Sequence, residues 1–318
     1  MRNRKMSFSV MMAIGVMALL MAACGGRDDR EAAAPGSAAP EIVTIKHQLG
    51  EARVKKNPEK VIVFDYGILD TLDKMGVKVL GVPQSNMPPY LAKYKEAPYE
   101  NVGTLQEPDF EKISALKPDL IIISGRQSSA YEELNKLGPT VFLGVNTSNY
   151  WESFRENMRI VGDIFDKADW MEEQLKEMEK TVQAVKAKAA NGPKGLIVLV
   201  TGGKVSAFGP GSRFGIVHDV LGVPPADPNI EVSTHGMSVS FEYIAEKNPD
   251  YLFVVDRDAA IGNQGESARQ VLENELVKGT NAYKNGRIVY LDPSYWYLSG
   301  GGLVSVSKMI EEVAAGLK

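Results

Sequence analysis

FEKISALKPDLIIISGR, residues 110–126, and FEYIAEKNPDYLFVVDR, residues 241–257, are two copies of one pattern set 131 residues apart. Six positions coincide without a gap: Phe110/Phe241, Glu111/Glu242, Ile113/Ile244, Pro118/Pro249, Asp119/Asp250 and Arg126/Arg257. Each copy reads as a short helix, a Pro-Asp break and a continuous apolar run, residues 120–123 and 251–255. Such a run suits a strand buried on both faces of a parallel sheet. The repeat therefore predicts two lobes of like α/β architecture with parallel-rich sheets. Further strands are expected at residues 61–64 before DYG, at 196–200 before TGG, and at the paired VLGVP segments, 79–83 and 220–224.

Between the two copies, residues 151–190 contain almost no breaker except Gly162. Trp170, Met171, Leu175, Met178, Val182, Val185 and Ala189 follow three-and-four spacing, which predicts an amphipathic helix of about 22 residues, roughly 33 Å long. A single helix of that length joining the lobes packs against both and limits hinge bending. The expected organisation is an N-terminal α/β lobe over 41–149, a connecting helical segment over 150–192, and a C-terminal α/β lobe over 193–318. That second lobe ends in a helix with Gly300, Gly301 and Gly302 as its flexible start.

The chain has 318 residues, 44% hydrophobic and 24% charged, an ordinary globular composition. With 36 Lys+Arg against 40 Asp+Glu its formal net charge is -4, which argues against broad binding to nucleic acid or to an anionic membrane. One cysteine, Cys24, excludes an internal disulfide and any multi-cysteine metal site, and three histidines do not suffice for a His-rich cage. Arg2, Arg4 and Lys5 precede a 14-residue apolar or small run, residues 10–23, too short to span a bilayer. Residues 1–23 are thus expected to be a signal peptide. GGRDDREAAAPGSAAP, residues 25–40, has nothing to bury and reads as a flexible tether beginning at Cys24.

Ligands of open α/β sheets sit beyond the carboxyl ends of strands, where both Arg126 and Arg257 fall. The repeat sets them facing each other across a cleft, and Arg213 in the loop GPGSRFG is a third candidate. Three guanidiniums suit a multiply anionic ligand, although an arginine after a strand is ordinarily a surface residue and Asp256 and Asp258 stand ready to pair with Arg257. Tyr295, Trp296 and Tyr297 offer flat amphipathic surfaces for aromatic rings or arginine stacks. No GxSxG elbow, Walker spacing or GxGxxG after a first strand is present, so enzyme readings fare poorly.

Leu-Met-Ala-Ala-Cys, residues 20–24, resembles the lipobox of bacterial lipoproteins, with Met21 where Leu is commonest. The two lobes, the long helix and the FExI....PD repeat resemble the class III solute-binding proteins of ATP-binding-cassette importers. The phrases ISGR, GPGSRFG, VVDRDAAIG, STHGMSVSFEYI and LDPSYWYLSGGG are similar to the subfamily for catecholate siderophores of the petrobactin type. The resemblance implies a monomeric lipoprotein, anchored through Cys24 on the extracytoplasmic face of the cell membrane. It would capture a ferric siderophore without a cofactor or catalytic residues of its own and deliver it to a permease dimer with its ATPase for iron uptake. It further implies that Glu111 and Glu242, one per lobe, dock on that permease. His235 and a late-loop tyrosine, Tyr295 in preference to Tyr297, would complete the iron shell of a tetradentate siderophore. A heme- or cobalamin-binding protein of the same importer class is the alternative; an extracellular hydrolase or an adhesin-like lipoprotein stands further off.

Overall fold

The computed structural model describes residues 41–190 and 192–317; the expected signal peptide, Cys24 and the tether lie outside the described residues. In chain order the strands are β1 (Ile42–His47), β2 (Gly50–Lys55), β3 (Val61–Val63), β4 (Gly81–Val82), β5 (Glu100–Asn101), β6 (Leu120–Ile123), β7 (Thr140–Phe142), β8 (Gly195–Thr201), β9 (Lys204–Phe208), β10 (Met237–Val239), β11 (Tyr251–Asp256) and β12 (Ile288–Leu291). The helices are α1 (Tyr66–Met75), α2 (Phe110–Leu116), α3 (Tyr131–Leu137), α4 (Tyr150–Ile164), α5 (Ala168–Ala189), α6 (Ile216–Asp219), α7 (Phe241–Lys247), α8 (Arg257–Ile261), α9 (Ala268–Leu272), α10 (Glu275–Lys278), α11 (Asn281–Lys284) and α12 (Leu303–Gly316).

Both copies of the repeat fold alike, for the same local reasons. Asp109 caps α2 by accepting from the Lys112 N–H at 2.9 Å, and Ser240 caps α7 by accepting from the Tyr243 N–H at 3.4 Å. Both helices end on a left-handed residue, Lys117 at φ 51° and Asn248 at φ 41°. The aspartate of each Pro-Asp pair then ties its strand to the neighbouring one. Asp119 accepts from the Lys60 N–H at 3.0 Å, and Asp250 accepts from the Lys194 N–H at 3.0 Å. Ile113 and Ile244 are fully buried beneath them.

The first sheet has the order β5-β4-β3-β6-β7, parallel throughout. The second has the order β10-β9-β8-β11-β12, parallel from β8 to β12 but antiparallel at β9 and β10. The second VLGVP departs from expectation. Residues 81–82 form β4 against β3, whereas residues 220–224 form no strand, and Pro225 makes one isolated bridge to Gly195. The flank of β8 is already taken by β9, which folds back through Gly202 and Gly203 at φ +52° and +73°.

Strand residues alternate between two buried faces. Val61, Val63 and Ile122 join Ile197, Leu199 and Phe253 in one continuous core, while Ile62, Ile121 and Leu196, Val198 fill separate outer layers. Helix α5 runs 22 residues, as its periodicity predicts, and buries Met171, Leu175, Met178, Val182, Val185 and Ala189 in the shared core. Helix α4 packs against it, and Gly162 permits the approach: a Cβ there would lie 3.1 Å from that of Met171.

Helix α12 does not belong to the second sheet alone, since it also packs on α1 of the first. Gly302 begins it, and here the glycines serve contact rather than flexibility. A Cβ on Gly67 would fall 2.2 Å from the Ser299 carbonyl oxygen and 2.6 Å from the Gly302 nitrogen. Gly67→Ala should therefore cost about 3 kcal/mol, the upper range for overpacking. Gly76→Ala, which meets open space at φ +72°, should cost only about 1 kcal/mol. Urea unfolding followed by tryptophan emission measures both; equal losses would mean that the α1–α12 contact yields at no cost.

Candidate functional site

The carboxyl ends of the strands open on a cleft of about 400 Å³. The first half contributes Asp65, Arg126, Phe142, Thr147 and Tyr150; the second contributes Arg213, Thr234 and His235. Residues 296–301 form the floor between them. That segment leaves a π-helical turn, Ser294–Ser299, a form often found at functional positions.

Tyr297 is where the halves meet. Its carbonyl oxygen accepts from Arg126 Nη2 at 2.9 Å and from Arg213 Nη2 at 3.2 Å, and its phenol oxygen accepts from Arg257 Nε at 2.8 Å. The Arg213 guanidinium also lies 4.7 Å from the Tyr297 ring centroid and 4.9 Å from that of Phe214. The three arginines predicted from sequence are thus brought to one residue, although Arg257 stands behind the phenol rather than on the cleft wall.

Among the described residues neither Arg126 nor Arg213 makes an ion pair, and the flanking aspartates are engaged mainly with backbone N–H groups. Asp256 caps α8 by accepting from the Ala259 N–H at 3.0 Å and takes a second bond from the Ala268 N–H at 2.7 Å. Asp258 reaches Arg257 only at 4.0 Å and accepts from the Gly202 N–H at 2.5 Å. Burial, together with the like charges of Arg126 and Arg257, holds the Arg213 guanidinium below its ordinary pKa.

The remaining aromatic residues divide. Trp296 borders the cleft but is 2% exposed, and its indole N–H donates to Glu312 Oε2 at 2.8 Å. It supports the wall and offers no open stacking face. Tyr295 does not line the cleft; its ring packs 4.9 Å from that of Tyr90. The late-loop tyrosine that bonds the arginines is Tyr297. His235 is exposed on the cleft rim, on a loop whose Gly236, at φ +75°, passes so close to Phe208 that a Cβ would lie 2.6 Å from its ring.

Glu111 and Glu242 are exposed in the first turns of α2 and α7, and among the described residues neither makes an ion pair. Its own N–H and the Ser240 hydroxyl hold Glu242 below the usual carboxylate range. Sequence reasoning passed over Asp65 and Tyr150. Asp65 caps α1, accepting from the Ile68 N–H at 2.9 Å; the buried Tyr150 donates its hydroxyl to the Gly300 carbonyl at 3.0 Å. A polar residue directly after the first strand was the available signal for Asp65. Tyr150 gave none, because its partner is 150 residues away.

Two α/β halves, a long connecting helix and a basic cleft between strand ends define the class III solute-binding architecture. The chain belongs to the periplasmic binding protein family, which it matches over residues 61–295. It is 50% identical over 317 residues to the petrobactin-binding protein YclQ of Bacillus subtilis (strain 168), covering 98% of this chain and 99% of that protein. It is 34% identical over 280 residues to the ferric-anguibactin-binding protein FatB of Vibrio anguillarum, 86% of this chain and 87% of the relative. The crystal structure of YclQ superposes with a TM-score of 0.85 at 52% identity, covering 87% of this chain and 99% of that one. The periplasmic catecholate-siderophore binding protein VctP of Vibrio cholerae follows at 0.83 and 37%, covering 86% and 100%.

A cluster that repels itself makes a specific prediction. Arg213→Met should raise the melting temperature of the ligand-free protein, because it removes a buried charge disfavoured by its neighbours. It should also weaken binding of polyvalent anions. Scanning calorimetry decides: a lower melting temperature would mean that the guanidinium's bonds to Tyr297 outweigh its desolvation.

Proposed function

We propose that this protein captures a ferric catecholate siderophore outside the cell membrane and passes it, unchanged, to an ATP-binding-cassette importer. The observation that carries the reading is the convergence of Arg126, Arg213 and Arg257 on Tyr297, with an ion pair among the described residues only at Arg257, whose contact to Asp258 is long at 4.0 Å. A ferric catecholate complex is anionic and carries aromatic faces. Guanidiniums donate to its phenolate oxygens through charge-assisted bonds, and the rings of Tyr297 and Phe142 supply apolar contact. The names of the relatives, which bind petrobactin, anguibactin and catecholate siderophores, support the same ligand class.

In this reading Cys24 carries the lipid anchor and the tether holds the folded part near the membrane. His235 and Tyr297, the latter in place of Tyr295, give one nitrogen and one oxygen donor to iron whose siderophore leaves two positions open. His235→Ala and Tyr297→Phe should then loosen a tetradentate ferric bis-catecholate by about tenfold and shift its charge-transfer band. A hexadentate complex, with no vacancy, should be little affected. Equal effects on the two ligands would reduce both residues to pocket lining.

Glu111 and Glu242 are taken as the docking points for the two permease subunits, whose symmetry their repetition matches. Reversing both to Lys should abolish iron uptake by cells while leaving ligand affinity in solution unchanged; transport that survives the double reversal removes the docking role.

A further inference from the structure

Asp70 lies on α1, is 1% exposed, and does not line the cleft. Its carboxylate nevertheless reaches the start of α12, 234 and 235 residues along the chain. The Val304 N–H donates to Oδ1 at 3.1 Å and the Ser305 N–H to Oδ2 at 3.0 Å; beside it, the Leu303 N–H donates to Thr71 Oγ1 at 2.8 Å. Gly302 has no side chain to cap the helix, so α1 of the opposite half supplies the cap. The turn that precedes α12 is tied to the same group from both ends. Ser305 Oγ donates to the Ser299 carbonyl at 3.0 Å, and Tyr90, its ring tilted against that of Tyr295, donates its hydroxyl to Asp70 Oδ2 at 3.2 Å.

We infer that Asp70 is a positioning residue of the binding site: by capping α12 from the opposite half of the molecule, it sets the turn that presents Tyr297 to the three arginines. The groups around it are Thr71 and, farther off, Asp65 on α1, Tyr90 on the 3₁₀ turn Pro89–Lys95, Tyr150 on α4, Tyr295 on the π turn, and Ser305 on α12. Among the described residues no cation lies within salt-bridge distance of it. The bonds it accepts come from Tyr90, Val304 and Ser305, while the single hydroxyl hydrogen of Thr71 lies closer to the Gly67 carbonyl, at 3.0 Å, than to Asp70, at 3.4 Å. The ionised carboxylate accepts all three as charge-assisted bonds; protonation sets a hydrogen among these donors and weakens the bonds that fix the turn.

Burial pushes this carboxyl up to about 7, so the change falls in the neutral range. The sign separates positioning from plain structure. A folded-state pKa raised above the unfolded value means that this group's contribution to stability is fully present below the ordinary carboxylate range, declines as pH rises from there, and is gone by about 7. Positioning of the turn runs the other way, because it needs the ionised form. Stability should therefore fall as pH rises toward about 7 and level off above it, whereas ligand affinity should rise through about 7.

The test uses the full chain as wild type, Asp70→Asn and Tyr90→Phe, and depends on the ferric-catecholate reading only for its probe, a tetradentate ferric bis-catecholate. Asn is isosteric with the protonated acid. Its affinity should be about tenfold weaker than wild type at pH 8.5 and within about twofold at pH 6. In ligand-free protein, tryptophan emission, which includes Trp296 on the turn, should show a pH step in wild type and none in Asp70→Asn. Tyr90→Phe should keep the step and move it to higher pH, having lost a donor that favours the ionised form. An equal affinity loss at both pH values, unchanged affinity in a folded Asp70→Asn, or a step that persists in that variant overturns the inference. If Asp70→Asn does not fold, an unmoved step in Tyr90→Phe is sufficient to reject it. If wild type does not bind the probe, the ligand reading fails, while the emission step and its shift still decide the role of Asp70.

Discussion

The back-to-back contact of Gly67 and Gly302 is the constraint on which the rest of the cleft depends. A Cβ on Gly302 would fall 1.8 Å from the Gly67 carbonyl oxygen, a separation only bare backbone allows. Once the two backbones are that close, the side chains one turn further along α1, Asp70 and Thr71, reach the unpaired N–H groups of α12. A helix from the last residues of the chain thereby starts on a helix from the first sheet. The turn between β12 and α12 is held at both ends, and its middle residue, Tyr297, can be aimed at side chains from both halves.

What Tyr297 does there follows from its neutrality. Two unit charges 5 Å apart at an effective dielectric near 20 repel by roughly 3 kcal/mol, while a cation–π contact returns about 0.5–2 kcal/mol. Hydrogen bonds to a carbonyl and a phenol fix the direction of Arg126, Arg213 and Arg257 without cancelling their charge. A carboxylate at that position would cancel it and leave little affinity for an anionic guest. The cluster is preorganised and only partly neutralised, through the long Arg257–Asp258 pair, so in the proposed function an anion that enters relieves the repulsion as it forms its own bonds.

The features legible in sequence are those whose causes are local. The Pro-Asp pair recurs because each aspartate makes the same bond to the neighbouring strand, and Arg126 and Arg257 follow from the symmetry that this bond maintains. The ends of α5 follow from its apolar period. The three adjacent aromatics could not be sorted that way. In a π-helical turn the side chains depart from the 3.6-residue period, and only the packed structure sends Tyr295 to Tyr90, Trp296 to Glu312 and Tyr297 to the arginines. Asp70 stands among Ile68, Leu69 and Leu72 on a buried helix, an anomaly visible in sequence, but the N–H groups that explain it lie in the last sixteen residues of the chain. The second VLGVP reads as a strand until β9 is seen to occupy the flank of β8.

These joints also bear on how a ligand is gripped. Helix α5 is buried along its length in a core shared by both sheets, and α12 is capped from the opposite half. Swinging the halves apart would expose that core and leave Asp70 or its donors buried and unpaired, at a cost of several kcal/mol. Ordinary thermal motion supplies a fraction of that. A wide opening of the halves is therefore disfavoured, and His235 and Thr234 stand exposed at the rim of the cleft. In the proposed function, selectivity then rests on side chains that already stand at the cleft before the ligand arrives, and the arrangement of three guanidiniums around one tyrosine is the part of the molecule suited to read charge at that moment.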